Sequence, residues 1–434
     1  MKRLLILAYD FPPYVSVGGL RPFAWYKYLK KNGVYPIVVT RQWENKYGNE
    51  LDYIAPSATQ ETIVEETEYG TIIRTPYKPN IANKILLKHG KNKYAFIRKA
   101  ISAFFDNVQY IFNIGPKAGI YKGAKKYLQH NSVDYIIATG EPFVLFKYAS
   151  ELSRLHNIPW IADYRDPWTQ DPTRSKNRFL LWRNTFFEKK FTSNAKFVTT
   201  VNDYFVSKIK SLVKNDAFVI ANGYDPDAIN AIKNIQQQSD KLRFAYVGTI
   251  YKYHPLDSVL DCFCQVVTKK QIDNFEINFF GIRDFIGIEH LLDAKYPQLK
   301  PYVNIVPQLN NKDLLKELAK HNILLLFNYY SIVGTKIYDY VALQRHILFC
   351  YDNDNEALLL KQSHFGKEDC NLNPQKEIIE TAKAGTIVRN KQHLLELLPT
   401  LYTQFQCGEI ACNCQNSEQF SREKQVKLLS ELIV

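Results

Sequence analysis

The 434-residue sequence has no run of 18 or more apolar residues, and a segment such as Ile323 to Phe327 is far too short to span a bilayer, which argues against an integral membrane protein. With 18 glycines and 19 prolines it is neither collagenous nor of low complexity. Its seven cysteines are an odd number and form no dense framework. Cys407, Cys412 and Cys414 are irregularly spaced with no histidine among them, so a zinc ribbon is not expected, and reduced cytoplasmic thiols are the simplest reading. The G-x-G-x-x-G, G-x-x-x-x-G-K-[ST] and H-E-x-x-H patterns are all absent, which removes support for a nicotinamide dehydrogenase, a P-loop NTPase and a zinc protease. Met1-Lys2-Arg3 followed by Leu4 to Ala8 imitates a signal peptide, but the apolar run stops at Asp10 and Pro12-Pro13 without a small-residue cleavage site. It reads as a buried first strand.

What is present describes a soluble, folded chain: 46% hydrophobic and 23% charged residues, at a length that predicts two or three domains. Lys and Arg number 56 against 43 Asp and Glu, a formal charge of +13, which suggests an anionic partner. Between Lys78 and Lys126 eleven basic residues face a single acid, Asp106, with Tyr94, Phe96, Phe104, Phe105, Tyr110, Phe112 and Tyr121 interleaved. That composition predicts a surface for anionic lipid or an anionic acceptor. The alternative is a solvated helical face with its aromatics packed inward. Nucleic acid is not expected, because no zinc finger, helix-turn-helix or RNP pattern accompanies the charge.

Short Val- and Ile-rich runs alternate with helical patterns, the signature of parallel strands joined by helices on both faces. Leu4 to Ala8, Pro36 to Thr40, Tyr135 to Thr139, Trp160 to Ala162, Phe197 to Val201 and Ala217 to Ile220 form a first series. Arg243 to Val247, Glu276 to Phe280, Val303 to Val306, Ile323 to Phe327 and Ile347 to Cys350 form a second, with helices between them such as Asn311 to His321. The expectation is an α/β protein of two Rossmann-like doubly wound domains facing across a cleft. The turn cluster Asn222 to Pro226 separates residues 1–222 from 223–415, and 416–434 carries a final helix near Ser421 to Leu432.

Ligands of open α/β sheets bind beyond the carboxyl ends of the strands, so the residues there are the candidates. After the first strand come Gly18 and Gly19, which let a ligand approach the backbone, then Arg21, a candidate acceptor or phosphate contact, and a helical pattern from Phe23 to Lys31. Asp163-Tyr164-Arg165-Asp166-Pro167-Trp168 packs two carboxylates, a guanidinium and an indole after another strand. Asp166 and Asp163 are candidate bases there, Glu141 after Thr139-Gly140 is another, and Arg165 suits a phosphate or carboxylate. The bland reading of the segment is an Asp–Arg pair that fixes a loop. In the second series Gly248 ends a strand, again the position where a backbone approaches a phosphate, and Lys252 and His254 are close behind, which makes Gly248 and Lys252 donor-binding candidates. A helix starting near Gly334 would present the N–H groups of Gly334, Thr335 and Lys336 to a diphosphate, with Asp339 on the same face for a ribose.

In their order along the chain, Phe11-Pro12-Pro13 with Gly18 to Arg21, Asp163 to Trp168, Asn222 to Asp225 and Gly334 to Ala342 resemble bacterial glycosyltransferases of the GT-B fold. The sequence looks like family 4, which builds capsular, O-antigen and exopolysaccharide chains. The resemblance implies an acceptor domain followed by a nucleotide-sugar domain, no metal, no cofactor beyond the donor, retention of configuration, and a final helix returning to the first domain. Gly18 and Gly19 would approach donor diphosphate or acceptor, Gly334, Thr335 and Lys336 would hold the diphosphate, and Asp339 would grip the ribose. Two departures stand out: Ser331 takes the place of the first of two glutamates, and no histidine follows the strand Tyr135 to Thr139. The implied partners are a nucleotide-sugar donor, a lipid-linked or glycan acceptor, and an anionic membrane reached through Lys78 to Lys126, with a cytoplasmic location on the inner face. The alternatives are a nucleotide-sugar epimerase or hydrolase of the same fold, and a silent glycan-binding or scaffold subunit.

Overall fold

Leu4, Leu5, Ile6 and Leu7 are fully buried, as expected of a central parallel strand covered on both faces. The computed structural model describes residues 1–44, 51–171, 177–282, 285–365, 373–410 and 414–434; Cys412 lies outside the described residues. By its contacts the chain divides into two units, Met1–Ala221 with Arg422–Val434, and Asn222–Ser421.

The first unit is built on an eight-stranded sheet of β1 (Lys2–Leu7), β2 (Val34–Arg41), β3 (Ile63–Glu66), β4 (Thr71–Thr75), β5 (Tyr135–Gly140), β6 (Trp160–Tyr164), β7 (Ala195–Thr200) and β8 (Ala217–Val219). Its spatial order is β3-β4-β2-β1-β5-β6-β7-β8, parallel except for the edge pair β3–β4. The chain winds outward from β1 through β2 and returns to the other side of β1 with β5. The carboxyl ends of β1 and β5 therefore form the switch point where such sheets hold ligands. The helices that matter for the site are α1 (Val17–Tyr28), α2 (Ile81–His89), α3 (Ala95–Val108), α4 (Ala118–Leu128), α5 (Val144–His156) and α6 (Arg178–Thr192). The final helix, Arg422–Glu431, puts Val426 and Leu429 into the same core as Ala24, Trp25 and Tyr28 of α1.

The sequence pattern expected α1 to begin at Phe23, with Gly18 and Gly19 in a loop. The helix starts six residues earlier, at Val17, and includes both glycines and Pro22. Ser16 is the reason: its side chain accepts the Gly19 N–H while its hydroxyl donates to Asp10 at 2.9 Å, which fixes the helix start against the end of β1.

The second unit carries a six-stranded parallel sheet in the order β11-β10-β9-β12-β13-β14. These are β9 (Leu242–Val247), β10 (Phe275–Phe280), β11 (Val303–Val306), β12 (Ile323–Phe327), β13 (His346–Cys350) and β14 (Gly385–Val388). Here the switch point lies between β9 and β12. The helix expected from Gly334 runs from Lys336 to Leu343, with Thr335 at its cap.

Candidate functional site

In the first unit the switch point is filled by a framework of paired charges. Arg21 on α1 donates to Asp163 at the end of β6 from Nη2 at 2.6 Å and from Nε at 3.0 Å, and Thr199 donates to the same carboxylate at 2.7 Å. The other amino group of Arg21 donates to the carbonyl of Ile220 at 2.5 Å. Arg21 is 3% exposed and Asp163 is fully buried. Expected as an anion contact and a base, they are instead a clamp that ties α1, β6 and β7 together. A carboxylate closed in by two side chains in this way presents no oxygen to a substrate.

Arg165, expected to meet a phosphate, donates instead to the carbonyls of Gly140 and Glu141, both at 2.7 Å. Its remaining amino group lies over Gly18, where a Cβ would collide with that group and with the Asp10 carboxylate. Glycine at 18 thus makes room for Arg165. Gly19 carries no such demand, since a Cβ there would make only ordinary contacts with Asp10 and Phe11. Burial pushes the Asp10 carboxyl up, against the Ser16 hydrogen bond and the Arg165 charge, and one of its oxygens is buried without a hydrogen-bond partner.

Asp166 and Glu141 are both exposed. The segment that carries Asp166 is held from below by a residue that no sequence motif marks. Glu188 on α6, fully buried, accepts from the Tyr164 hydroxyl at 3.0 Å, from Thr169 Oγ1 at 2.6 Å and N–H at 3.2 Å, and from Gln170 at 3.1 Å. Burial raises its carboxyl and these donors oppose the rise. A weaker signal does exist: residue 188 falls on the same helical stripe as Phe187, Phe191 and Thr192, where a lone acid has to find donors.

Beside this segment a pocket of about 340 Å³ opens within the first unit, lined among others by Tyr110, Lys117, Glu141, Phe143, Trp168 and Asn184. Trp168 and Phe143 are stacked 4.8 Å apart with their planes 2° from parallel, and Tyr110 leans on Trp168 at 5.5 Å. Burial holds the Lys117 ammonium below its ordinary range, with Asp106 and Glu141 pulling the other way.

The basic segment packs only part of its aromatics inward: Phe105, Tyr110 and Tyr121 are half-buried, and Tyr110 stacks on Phe187 at 5.3 Å. Helix α3 buries none of its residues; Phe96 is 85% exposed, and Tyr94, Phe104 and Phe112 are exposed as well. Lys84, Lys88, Lys91, Lys93 and Lys99 are exposed among them. Helix α6, tied to α3 by a hydrogen bond from Arg183 to Asn107, adds Phe179, Trp182 and Phe186, all exposed. No helix among the described residues is long and apolar enough to cross a membrane.

In the second unit Gly248 follows β9 with φ +108°, a conformation that L side chains rarely adopt, and a Cβ there would meet nothing within 4 Å. The hydroxyl of Tyr340 accepts the Val247 N–H at 3.1 Å, so the helix Lys336–Leu343 is docked on the end of β9 next to that glycine. Lys336 Nζ lies 3.4 Å from Asp339, which is 9% exposed. Gly334 and Thr335 are half-buried ahead of the helix, Ser331 is buried, and Lys252 is exposed. The loop that carries Lys252 is pinned by His254, whose Nδ1 accepts the Tyr251 N–H at 3.3 Å among the rings of Tyr251, Tyr253, Phe327 and Tyr329. Burial pushes His254 down to about 3, so the ring is neutral.

No protein-family model matches the chain, and no curated protein matches it by sequence. Solved structures do. A sucrose-phosphate synthase from Thermosynechococcus elongatus matches with a TM-score of 0.61 at 14% identity, over 100% of this chain and 98% of its own. A glycosyltransferase from Rickettsia africae gives 0.58 at 13% identity, over 100% and 97%. An E. coli trehalose-6-phosphate structure bound with UDP-2-fluoro glucose gives 0.57 at 12% identity, over 100% and 96%. At such identities the likeness is one of fold alone, and it runs the length of the chain, which has the GT-B fold.

Proposed function

We propose that the protein is a glycosyltransferase that takes a sugar from a nucleoside-diphosphate sugar and passes it to a saccharide or lipid-linked acceptor at an anionic membrane surface. The observation that carries the proposal is the helix Lys336–Leu343, set at the switch point of the second unit with Lys336 in its first turn and Gly248 beside it. A helix amino end and an ammonium favour the charge that builds up on a leaving diphosphate, which is what the reaction has to stabilise. Lys336 would leave Asp339 for the phosphates, and Asp339 would turn to the ribose hydroxyls. Structures of the same fold bound to UDP or to UDP-2-fluoro glucose support a uridine donor as the first to test. In the first unit the exposed carboxylates of Glu141 and Asp166 are the groups in this reading that reach an acceptor hydroxyl, and if the leaving phosphate takes the acceptor's proton, configuration is retained.

The membrane part of the proposal rests on the exposed aromatics of α3 and α6 among lysines. Aromatic side chains insert at the interface while the ammonium groups meet anionic headgroups. Binding to vesicles with anionic lipid should fall as salt rises, and replacing Phe96 and Trp182 with serine should weaken it at every salt concentration. Equal binding of wild type and variant, or equal binding to neutral vesicles, overturns this part.

The nucleotide part is tested by thermal unfolding against UDP, GDP, ADP and CMP. A nucleotide at 100 times its dissociation constant adds about 2.7 kcal/mol, and Lys336→Ala should abolish the shift. If none of the nucleotides stabilises the protein, the transferase reading falls. One observation favours a second reading: Ser331, buried, supplies no carboxylate where the resemblance expects a glutamate. A silent nucleotide-binding subunit would show the UDP shift but release no UDP from any UDP-sugar with or without acceptor.

A further inference from the structure

Between the end of β12 and the helix Lys336–Leu343 the chain makes a turn, and two buried amide side chains decide its course. Asn328, 2% exposed, accepts the Tyr330 N–H on Oδ1 at 2.6 Å and donates from Nδ2 to the carbonyl of Tyr351 at 2.7 Å. Gln375, fully buried in the first turn of the helix Pro374–Ala382, accepts the Tyr329 N–H at 2.6 Å. Held at these two anchors, Tyr330 takes φ +55°, a left-handed conformation that is costly for a residue with a Cβ. The Ile332 N–H then donates to the Tyr329 carbonyl at 3.2 Å and closes the turn. Gly334, Thr335 and the helix Lys336–Leu343 follow directly, so the place of the turn sets the place of that amino end and of Lys336.

Gln375 also carries an unsatisfied group. The Tyr329 N–H needs the amide oxygen, which fixes the orientation of the amide and leaves Nε2 buried with no hydrogen-bond partner among the described residues. A buried donor without an acceptor lowers stability, and an apolar side chain of similar length would avoid it. What the amide supplies in return is a fixed place for the Tyr329 N–H. Left-handed strain and an unsatisfied buried donor on one turn mark a backbone held for a purpose other than stability. We infer that Gln375 is a positioning residue of the nucleotide site: through the Tyr329 N–H it sets the turn that aims the amino end of the helix Lys336–Leu343 at a diphosphate. Fully buried, it is not itself a ligand contact. The inference rests on the nucleotide reading of that helix but not on sugar transfer, since a silent nucleotide-binding subunit needs the same aim.

Ligand-observed NMR titration of the full chain with UDP and uridine, repeated with GDP and guanosine and with ADP and adenosine, tests it. Gln375→Met keeps the length of the side chain and removes the acceptor. It should weaken the diphosphate about tenfold, leave the parent nucleoside unchanged, and unfold within about 3 °C of wild type. Gln375→Glu keeps an oxygen for the Tyr329 N–H, and a carboxyl so buried stays protonated, so it should bind the diphosphate within about twofold of wild type. Hydrogen exchange over residues 328–335 supplies a signature that packing alone does not. It should be faster in Gln375→Met than in wild type or Gln375→Glu, and slowed again by saturating diphosphate. If Gln375→Met does not fold, Gln375→Asn decides by the same comparison, because its amide is one methylene short of the Tyr329 N–H. A Gln375→Met variant that binds the diphosphate as wild type does overturns the positioning role and leaves the nucleotide site intact. Equal loss of diphosphate and nucleoside, or a Gln375→Glu variant as weak as Gln375→Met, makes Gln375 an ordinary packing residue and overturns the role as well. If wild type binds no nucleotide in any of the three series, the nucleotide reading itself falls and the positioning role falls with it.

Discussion

Arg21 and Asp163 in the first unit meet at 2.6 Å with side chains 3% and 0% exposed, whereas Lys336 and Asp339 in the second meet at 3.4 Å with side chains 32% and 13% exposed. Both pairs stand towards the carboxyl ends of strands in a parallel sheet, and the sequence offers both as binding candidates. Their surroundings divide them. A buried pair with every oxygen engaged holds helix to strand and cannot change partners without a large loss, while a longer pair whose lysine is half-exposed beside a helix amino end can turn that lysine to a phosphate at less cost.

The largest effect is expected at the buried pair. Arg21→Ala leaves the Asp163 carboxylate buried without its cation, a change that costs about 3 to 5 kcal/mol. Chemical denaturation should show that loss together with loosening of α1. Restoring apolar packing at both positions, as in an Arg21→Met, Asp163→Leu double variant, should recover part of it. A single variant within about 0.5 kcal/mol of wild type would mean that the pair is not the framework described.

A second contrast lies within the second unit, where His254 is sealed among rings and Lys252, two residues away, is exposed. The unfolded imidazole takes its proton near pH 6.5 and the folded one only near 3. Below pH 6.5 the unfolded chain therefore binds the extra proton, and stability falls with pH through that window. At about 1.4 kcal/mol per pH unit, this one residue removes about 2 kcal/mol by pH 5. His254→Phe should flatten the acid limb of the stability curve between pH 6.5 and 5; an unchanged limb would show that some other group titrates there.

How much of this was legible in the sequence follows from what kind of interaction decided each part. The central strands were legible because a strand covered on both faces has to be an unbroken apolar run, as in Leu4 to Leu7 and Ile323 to Phe327. The edge strand β3 and its neighbour β4 were not, since Ile63 and Val64 face solvent and Arg74 interrupts the run in β4. The early start of α1 was hidden by Gly18, Gly19 and Pro22, which disfavour a helix locally, while the contact that fixes it runs from Ser16 back to Asp10. The pairing of Arg21 with Asp163 spans 142 positions, so no local pattern could distinguish it from the neighbouring Arg165 as the partner. Composition picked out the basic, aromatic segment, but which way its rings point depends on packing: α3 buries none of its residues, and Phe96 is left 85% exposed.

The smallest expected effect is also the most discriminating. The contact between Lys336 and Asp339 is long, at 3.4 Å, and its lysine end is open to water, so Lys336→Ala should cost unliganded stability only about 0 to 1 kcal/mol even as it removes the response to a nucleoside diphosphate. A framework pair would behave the other way, with stability and ligand response falling together, as expected for Arg21→Ala. Measuring both quantities in both variants therefore separates the two roles on one set of samples. If Lys336→Ala unfolds as readily as Arg21→Ala, the second pair is a clamp like the first, and the anion site moves to the Gly248 turn and the Lys252 loop. If it unfolds like wild type and has lost its nucleotide, then Lys336 is held where a charge is needed and adds almost nothing to the fold that holds it.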